Sequence, residues 1–134
     1  MIAVDTSVVV AAFASWHVLH QAALAVLDRQ PALPVQAALE AYSVLTRLPP
    51  PHRAPADVVR DFIDGNFGDA MLSLAPDQFA GFLSEMALQD IIGGATYDAV
   101  IAVTARDAGR DLVTCDARAR KTYERLGISV EYIR

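Results

Sequence analysis

The sequence predicts an α/β domain, with a mainly parallel sheet as the middle layer and helices on both faces. Two observations carry this. Short apolar runs of strand length alternate, from one end of the chain to the other, with segments whose apolar residues recur at helical spacing. That alternation builds parallel sheets whose crossovers cover both faces. The chain also has only 134 residues, 54% of them hydrophobic, with a mean hydropathy of +0.30. This is enough for one full core and leaves little room for a second, so residues 1–134 read as a single domain.

Ile2-Ala3-Val4 is a buried first strand ending at Asp5, and Thr6 or Ser7 can cap the helix that follows. Val18 to Arg29 has helical spacing through Val18, Leu19, Ala22, Ala23, Val26 and Leu27. Pro31 and Pro34 bracket a turn and a short strand, Leu33 to Val35. Gln36 to Leu48 is a helix with Ala38, Ala41, Tyr42, Leu45 and Leu48 on one face, stopped by Pro49-Pro50-Pro51. Asp57 to Ile63 is a short helix, followed by a loop at Gly65 and Gly68. Ala70 to Leu74 is a strand, and Ala75-Pro76-Asp77 starts a helix to about Leu88. Gly93-Gly94 forms a tight turn, after which Thr96 can cap a helix from Tyr97 to Ala108, closed by Gly109. Asp111 to Thr114 is a strand that ends near Asp116. Arg118 to Leu126 is a helix closed by Gly127, and Ile128 to Ile133 is a last strand. There is no internal repeat, low-complexity tract or linker.

Composition narrows the function classes. No apolar run reaches the roughly 18 residues needed to cross a bilayer, and Val8 to Ala14 follows Asp5 rather than a basic segment. A cytoplasmic protein without membrane attachment is expected. The lone Cys115 excludes an internal disulfide and reads as a small buried hydrophobe. A formal net charge of −5 and a pI near 5.0 argue against a generic nucleic-acid binder. The basic residues are nearly all Arg, however, and Arg106, Arg110, Arg118, Arg120, Lys121 and Arg125 fall together late in the chain.

Ligands of parallel sheets bind beyond the carboxyl ends of the strands. Four acids fall there. Asp5 follows the first strand, and Glu40 lies in the first turns of the helix after the second. Asp98 opens the helix after Gly93-Gly94, and Asp116 follows the late strand. None has an obvious cation nearby in sequence. Converging carboxylates without counter-charge repel, so either some protonate or a cation joins them. An all-oxygen site suits Mg²⁺ or Mn²⁺. Such an ion on a phosphodiester can polarise the phosphate, activate a water and steady the leaving oxygen. Hydrolysis by water then needs no Ser, Cys or His nucleophile.

Each acid also has an ordinary reading. Asp5 can be a helix cap, Glu40 a solvated helix face, Asp98 a partner of the helix dipole and Asp116 a turn residue. Against these stand the apolar neighbours Ala37 and Val44 one turn either side of Glu40. Gly93-Gly94 ahead of Asp98 also implies close backbone packing, which a plain cap does not need. Other acids read as structural: Asp57, Asp61 and Asp64 share a solvated helix face, Asp107 and Asp111 pair with Arg106 and Arg110, and Asp90 lies in a loop. His17, His20 and His52 form no ligand cluster. Trp16, able to stack on a base, reads as core or interface. Arg118 and Arg120, nearest Asp116, are the best phosphate contacts, with a solvated face as the alternative.

The motifs around these acids resemble those of PIN domains. Met1-Ile-Ala-Val-Asp5-Thr-Ser7 is similar to the family's opening, and Ala38-Leu-Glu40-Ala-Tyr-Ser-Val-Leu-Thr-Arg47-Leu to its second acidic motif. Gly93-Gly-Ala-Thr-Tyr-Asp98-Ala-Val-Ile-Ala102 closely resembles the third, and Leu112-Val-Thr114-Cys-Asp116 the fourth. Any one is weak alone. Four in order, over a chain of the length typical of VapC toxins, are specific. The resemblance implies a PIN-like three-layer sandwich and a Mg²⁺- or Mn²⁺-dependent endoribonuclease carried by Asp5, Glu40, Asp98 and Asp116 as metal-holding and catalytic residues. Ser7 and Thr114 match hydroxyl positions that order the site. It also implies a homodimer, a cognate VapB antitoxin covering the active-site groove, and structured RNA such as transfer or ribosomal RNA as substrate. Some relatives carry a further acid after the fourth Asp. Here Ala117 and Arg118 follow, which leaves one or two metals open.

Other readings remain at this stage. One is a PIN-type nuclease acting in RNA processing or on DNA outside a toxin–antitoxin pair. Another is a non-catalytic PIN fold used for binding, against which the intact acidic quartet weighs. A phosphotransferase of the haloacid dehalogenase type also places Asp after strand one. It needs a second acid where Ser7 stands and a Lys at a later strand end, and none is visible.

Overall fold

A computed structural model describes residues 1–134. The chain runs β1 (Ile2–Val4), α1 (Thr6–Phe13), α2 (His20–Leu27), β2 (Leu33–Pro34), α3 (Val35–Thr46), α4 (Ala56–Phe67), β3 (Met71–Leu72), α5 (Pro76–Gln89), α6 (Ala95–Asp107), β4 (Asp111–Thr114), a 3-10 turn (Ala117–Ala119), α7 (Arg120–Arg125) and β5 (Val130–Tyr132). All strand pairs are parallel: β1 with β4, β4 with β5, and β2 with β3. Val4 N–H donates to Ala32 O, and Ala32 N–H to Ile2 O, both at 3.0 Å. These bonds join the two ladders, so the strand order is β3-β2-β1-β4-β5, with β1 at the centre. No helix is long and apolar enough to cross a membrane.

The expected three-layer α/β architecture is present, and its core explains why the sequence lacks simple alternation. Ala3, Val4, Leu112 and Val113 are fully buried, so the central strands β1 and β4 are apolar on both faces. In α6, Ala99 to Ala105 are buried without interruption, so the middle of this helix is enclosed all round. An ion or ligand site bounded by α6 therefore sits on a rigid element.

Several boundaries differ from the sequence reading for local reasons. Asp5, not Thr6 or Ser7, caps α1. The expected loop at Gly65 is helix: α4 continues to Phe67 because Val59, Ile63 and Phe67 form a buried stripe. That burial outweighs the roughly 1 kcal/mol a helical glycine costs. Thr96 lies inside α6 and donates its hydroxyl to Gly93 O at 2.7 Å, so it is not the cap. The glycines before α6 are not there for close packing, since a Cβ at either would meet nothing within 4 Å. Gly93 is required instead by its φ of +60°. The helix expected from Arg118 is split into the 3-10 turn and α7.

Candidate active site

Parallel pairing sets Val4 beside Val113. The residues just past β1 and β4 therefore meet, and Asp5 N–H donates to Val113 O at 3.3 Å. Asp5 is only 3% exposed. Its Oδ1 accepts from Ser7 Oγ (2.5 Å), Ser7 N–H (3.0 Å) and Val8 N–H (3.4 Å), and its Oδ2 from Thr114 Oγ1 (2.5 Å) and Tyr123 OH (2.9 Å). The two hydroxyls are held in turn: Cys115 N–H donates to Ser7 Oγ at 2.8 Å, and Asp116 N–H to Thr114 Oγ1 at 3.0 Å. Asp5 is thus at once a helix cap, one of its two sequence readings, and the hub of a buried polar network. Burial pushes its carboxyl pKa up, and the Ser7, Thr114 and Tyr123 hydroxyls and Val8 N–H pull it down.

Glu40 from α3, Asp98 from the first turns of α6 and Asp116 after β4 join Asp5 around one pocket of about 140 Å³, with Thr6, Ser7, Ile101 and Tyr123 completing the wall. All four predicted acids are therefore brought together. Asp98 is half-buried, and its pKa is pushed up to about 6. Burial is the main cause, followed by the charges of Glu40, Asp116 and Asp5. The only cation close by is Arg118, whose N–H donates to Asp116 Oδ1 at 2.9 Å and whose Nε stands 3.5 Å from the same atom. That side chain is 95% exposed, so water screens most of its charge. Thr6 Oγ1 is buried with no protein partner. A larger groove of about 480 Å³ between α3 and α4 holds Arg60 among Asp57, Asp61 and Asp64. Most of its lining is apolar, and Arg60 pairs with Asp61 at 2.9 Å.

The other sequence candidates separate cleanly. Arg120 is not in the pocket: it pairs with Glu124 at 2.8 Å and lies over the Tyr132 ring, 5.6 Å from its centroid. Cys115 is half-buried, and burial pushes its thiol up to about 11, so it is no thiolate nucleophile. His20 Nδ1 lies 2.9 Å from Ala11 O, His17 Nδ1 accepts from Leu19 N–H, and His52 stacks on Trp16 at 4.3 Å. Trp16 is half-exposed rather than core. Asp57, Asp61 and Asp64 are exposed as expected, and Asp90 occupies the left-handed cap of α5. Arg106 does pair with Asp107, but its main partner is Glu85 at 2.8 Å. Asp111 is exposed and makes no ion pair, because Arg110 donates to Ile2 O instead.

Tyr123 is the site residue that sequence reasoning missed. It stands among Arg120, Lys121, Thr122, Glu124 and Arg125, a charged run that gives no local sign of burial, yet it is only 1% exposed. Its hydroxyl partner is 118 positions away in the chain. The available signal was general: a buried tyrosine hydroxyl nearly always finds a partner.

A parallel sheet with four acids at its carboxyl edge is the arrangement the PIN motifs implied, and the family's model, described as PIN domain, matches residues 2–125. The chain belongs to the PIN-domain family. Within that family it is 47% identical over 133 residues to Ribonuclease VapC40 of Mycobacterium tuberculosis, covering 99% of both chains. It is 39% identical over 131 residues to Ribonuclease VapC27 of the same species, covering 96% of this chain and 94% of the relative. The resemblance to VapC read from four motifs thus extends over nearly the whole chain. Among solved structures, FitAcB from Neisseria gonorrhoeae aligns with a TM-score of 0.69 at 17% identity, over 97% of this chain and 96% of that one. FitAB bound to an IR36 DNA fragment aligns at 0.71 and 18%, over 98% and 94%. At that identity these two structures speak to the fold alone.

Proposed function

We propose that this chain is a Mg²⁺- or Mn²⁺-dependent endoribonuclease and the toxin of a VapBC pair, hydrolysing phosphodiester bonds of structured RNA. The observation that carries the reading is the convergence of Asp5, Glu40, Asp98 and Asp116, from four separate segments, on one pocket with almost no counter-charge. Near-full-length identity to proteins named ribonucleases supports it.

The donor set fits a hard divalent cation. Every candidate ligand is an oxygen, and the carboxylates raise one another's proton affinity at Asp98. No group of three or more acids stands close enough in this arrangement to hold an ion directly, so a bound cation would draw the carboxylates inward or fill its remaining positions with water. Asp5, Asp98 and Asp116, with Glu40, would hold it. When bound, it supplies Lewis-acid polarisation of the phosphate and lowers the pKa of a water. Ser7 and Thr114 fix the orientation of Asp5. No protein donor holds Glu40, so it is free to orient the attacking water. Arg118 at the mouth meets a phosphate. By kinship with VapC proteins, a VapB-type antitoxin, a homodimer and a cytoplasmic setting belong to the same proposal.

The test is incubation of total bacterial RNA with purified protein in Mg²⁺ or Mn²⁺, in EDTA, and with Asp98→Asn. Discrete fragments that need metal and vanish in the variant are expected. Cleavage that survives both EDTA and the variant sinks the reading. Cleavage of DNA but not RNA would place the protein among nucleases outside toxin–antitoxin pairs.

A further inference from the structure

We propose that Tyr123 is a positioning residue for Asp5, whose phenol hydroxyl sets how tightly the acidic pocket takes a divalent cation. This rests on the reading of the acids as metal-holding. Among the five donors to Asp5, three come from the first turn of α1 that it caps, two from Ser7 and one from Val8, and one comes from Thr114 at the end of β4. Tyr123 alone comes from α7, outside both the strand ends and the turn that Asp5 caps. It therefore ties the carboxylate at the end of β1 to the helix that follows Asp116, a link beyond those the β1–β4 pairing and Thr114 already make.

The energetic reason is burial. At 3% exposure Asp5 has almost no water, so protein donors must replace its hydration. Oδ1 is secured three ways, whereas Oδ2 has only Thr114 and Tyr123. Thr114 cannot take over both places, because its one proton is already given and its oxygen accepts from Asp116 N–H. Ser7 cannot either: its proton goes to Oδ1, and its 3.3 Å approach to Thr114 Oγ1 leaves no proton between them. Without the phenol, Oδ2 keeps a single donor, and the carboxylate is both less well hydrated and freer to turn. Donors of this kind behind a metal-holding group are typically worth about 10- to 100-fold in metal affinity. The opposite role, in which the phenol blocks an Oδ2 lone pair that a cation needs, uses the same contact. It predicts the opposite sign. The geometry favours positioning, because Tyr123 is as deeply buried as the core around it and has no other hydrogen-bond partner to turn to.

The experiment is Mn²⁺ titration by calorimetry or by the EPR signal of free Mn²⁺, on the native chain, Tyr123→Phe, and a chain with 3-fluorotyrosine at position 123. Tyr123→Phe keeps the ring in the core, and its unfolding in EDTA reports the fold. The expected result is a Kd about 10- to 100-fold weaker for Tyr123→Phe, with near-native binding for the fluorotyrosine chain. Unchanged or tighter binding by Tyr123→Phe overturns the inference. Equal weakening in both substituted chains also overturns it, since that would make the effect steric. Absence of Mn²⁺ binding by the native chain would instead remove the reading of the acidic pocket on which the inference stands.

Discussion

Two polar clusters in this chain look alike in outline and differ in their charge balance. At one, Arg106 donates to both oxygens of Glu85, at 2.8 and 2.9 Å, and to Leu126 O, with Asp107 alongside. Charge meets charge there. The pairing holds Glu85 below the usual carboxylate range and pushes the Arg106 guanidinium further up. At the other, four carboxylates share a pocket, and the only nearby cation is the exposed Arg118. There the shifts run the opposite way, with Asp98 raised to about 6. A balanced cluster joins helices. An unbalanced one, held together by hydroxyls and backbone, stores a demand for something the protein lacks. This is why the second cluster, and not the first, is read as the site.

The largest difference should appear on neutralising one acid. Asp98→Asn is expected to lower RNA cleavage by about 100-fold or more, if the pocket supplies the several kcal/mol that metal-assisted hydrolysis draws on. The same change should leave the metal-free protein at least as stable as the native one, because it removes repulsion. Cleavage assays paired with thermal unfolding in EDTA check both halves. A loss of activity that tracked a loss of fold would erase the contrast between the two clusters.

At the balanced cluster the effect should fall on stability instead. Arg106→Leu leaves Glu85 without its cation and Leu126 O without a donor. A charge-assisted network that is about a quarter to a third exposed is expected to cost about 1–2 kcal/mol. For a chain of this size that is a drop of about 3–10 °C in Tm. Cleavage by the folded fraction should be unchanged.

How much of this contrast was legible in the sequence depends on distance along the chain. Asp5, Glu40, Asp98 and Asp116 could be read because each sits where a strand ends or a helix begins, and the order of elements alone brings such positions to one edge of a parallel sheet. Ser7 and Thr114 were legible through the resemblance of their motifs to those of PIN domains. What was not legible depended on packing. The continuation of α4 through Gly65 is decided by where Val59 and Phe67 bury. Arg106 prefers Glu85, 21 positions away, over a neighbour in sequence as sole partner. Tyr123 reaches Asp5 across nearly the whole chain. Local pattern placed the acids, and tertiary contact decided what holds them.

Proton linkage offers a subtler comparison. Asp98 binds its proton more tightly in the folded chain, at about 6 against an ordinary value near 3.8. The metal-free fold is therefore favoured while that proton is on and loses this contribution as pH rises from about 4 through 6. Asp5, also raised by burial, adds in the same direction. Glu85 works oppositely: its lowered pKa contributes stability above about 4.5 that is lost only at more acid pH. Between pH 5 and 7, then, the Tm of the native chain in EDTA should fall, and that of Asp98→Asn should fall less. Equal slopes would mean the carboxylates do not sense one another.

The smallest expected effects separate two arginines that the sequence could not tell apart. Arg120 is already engaged with Glu124 and the Tyr132 ring, about 60% exposed and outside the pocket. Arg120→Ala should change stability by no more than about 0.5 kcal/mol and leave RNA binding alone. Arg118 stands at the mouth with its guanidinium almost wholly in solvent. If it meets a phosphate, Arg118→Ala should weaken RNA binding a few-fold and reduce the steepness of log K against log [salt] by about 1, the signature of one lost phosphate contact. The measurement is binding of a metal-free Asp98→Asn chain to RNA across a salt series, with and without each arginine change. An unchanged slope for Arg118→Ala would return that residue to the solvated surface. An equal change for both arginines would mean that the RNA path runs past β5 rather than into the acidic pocket alone.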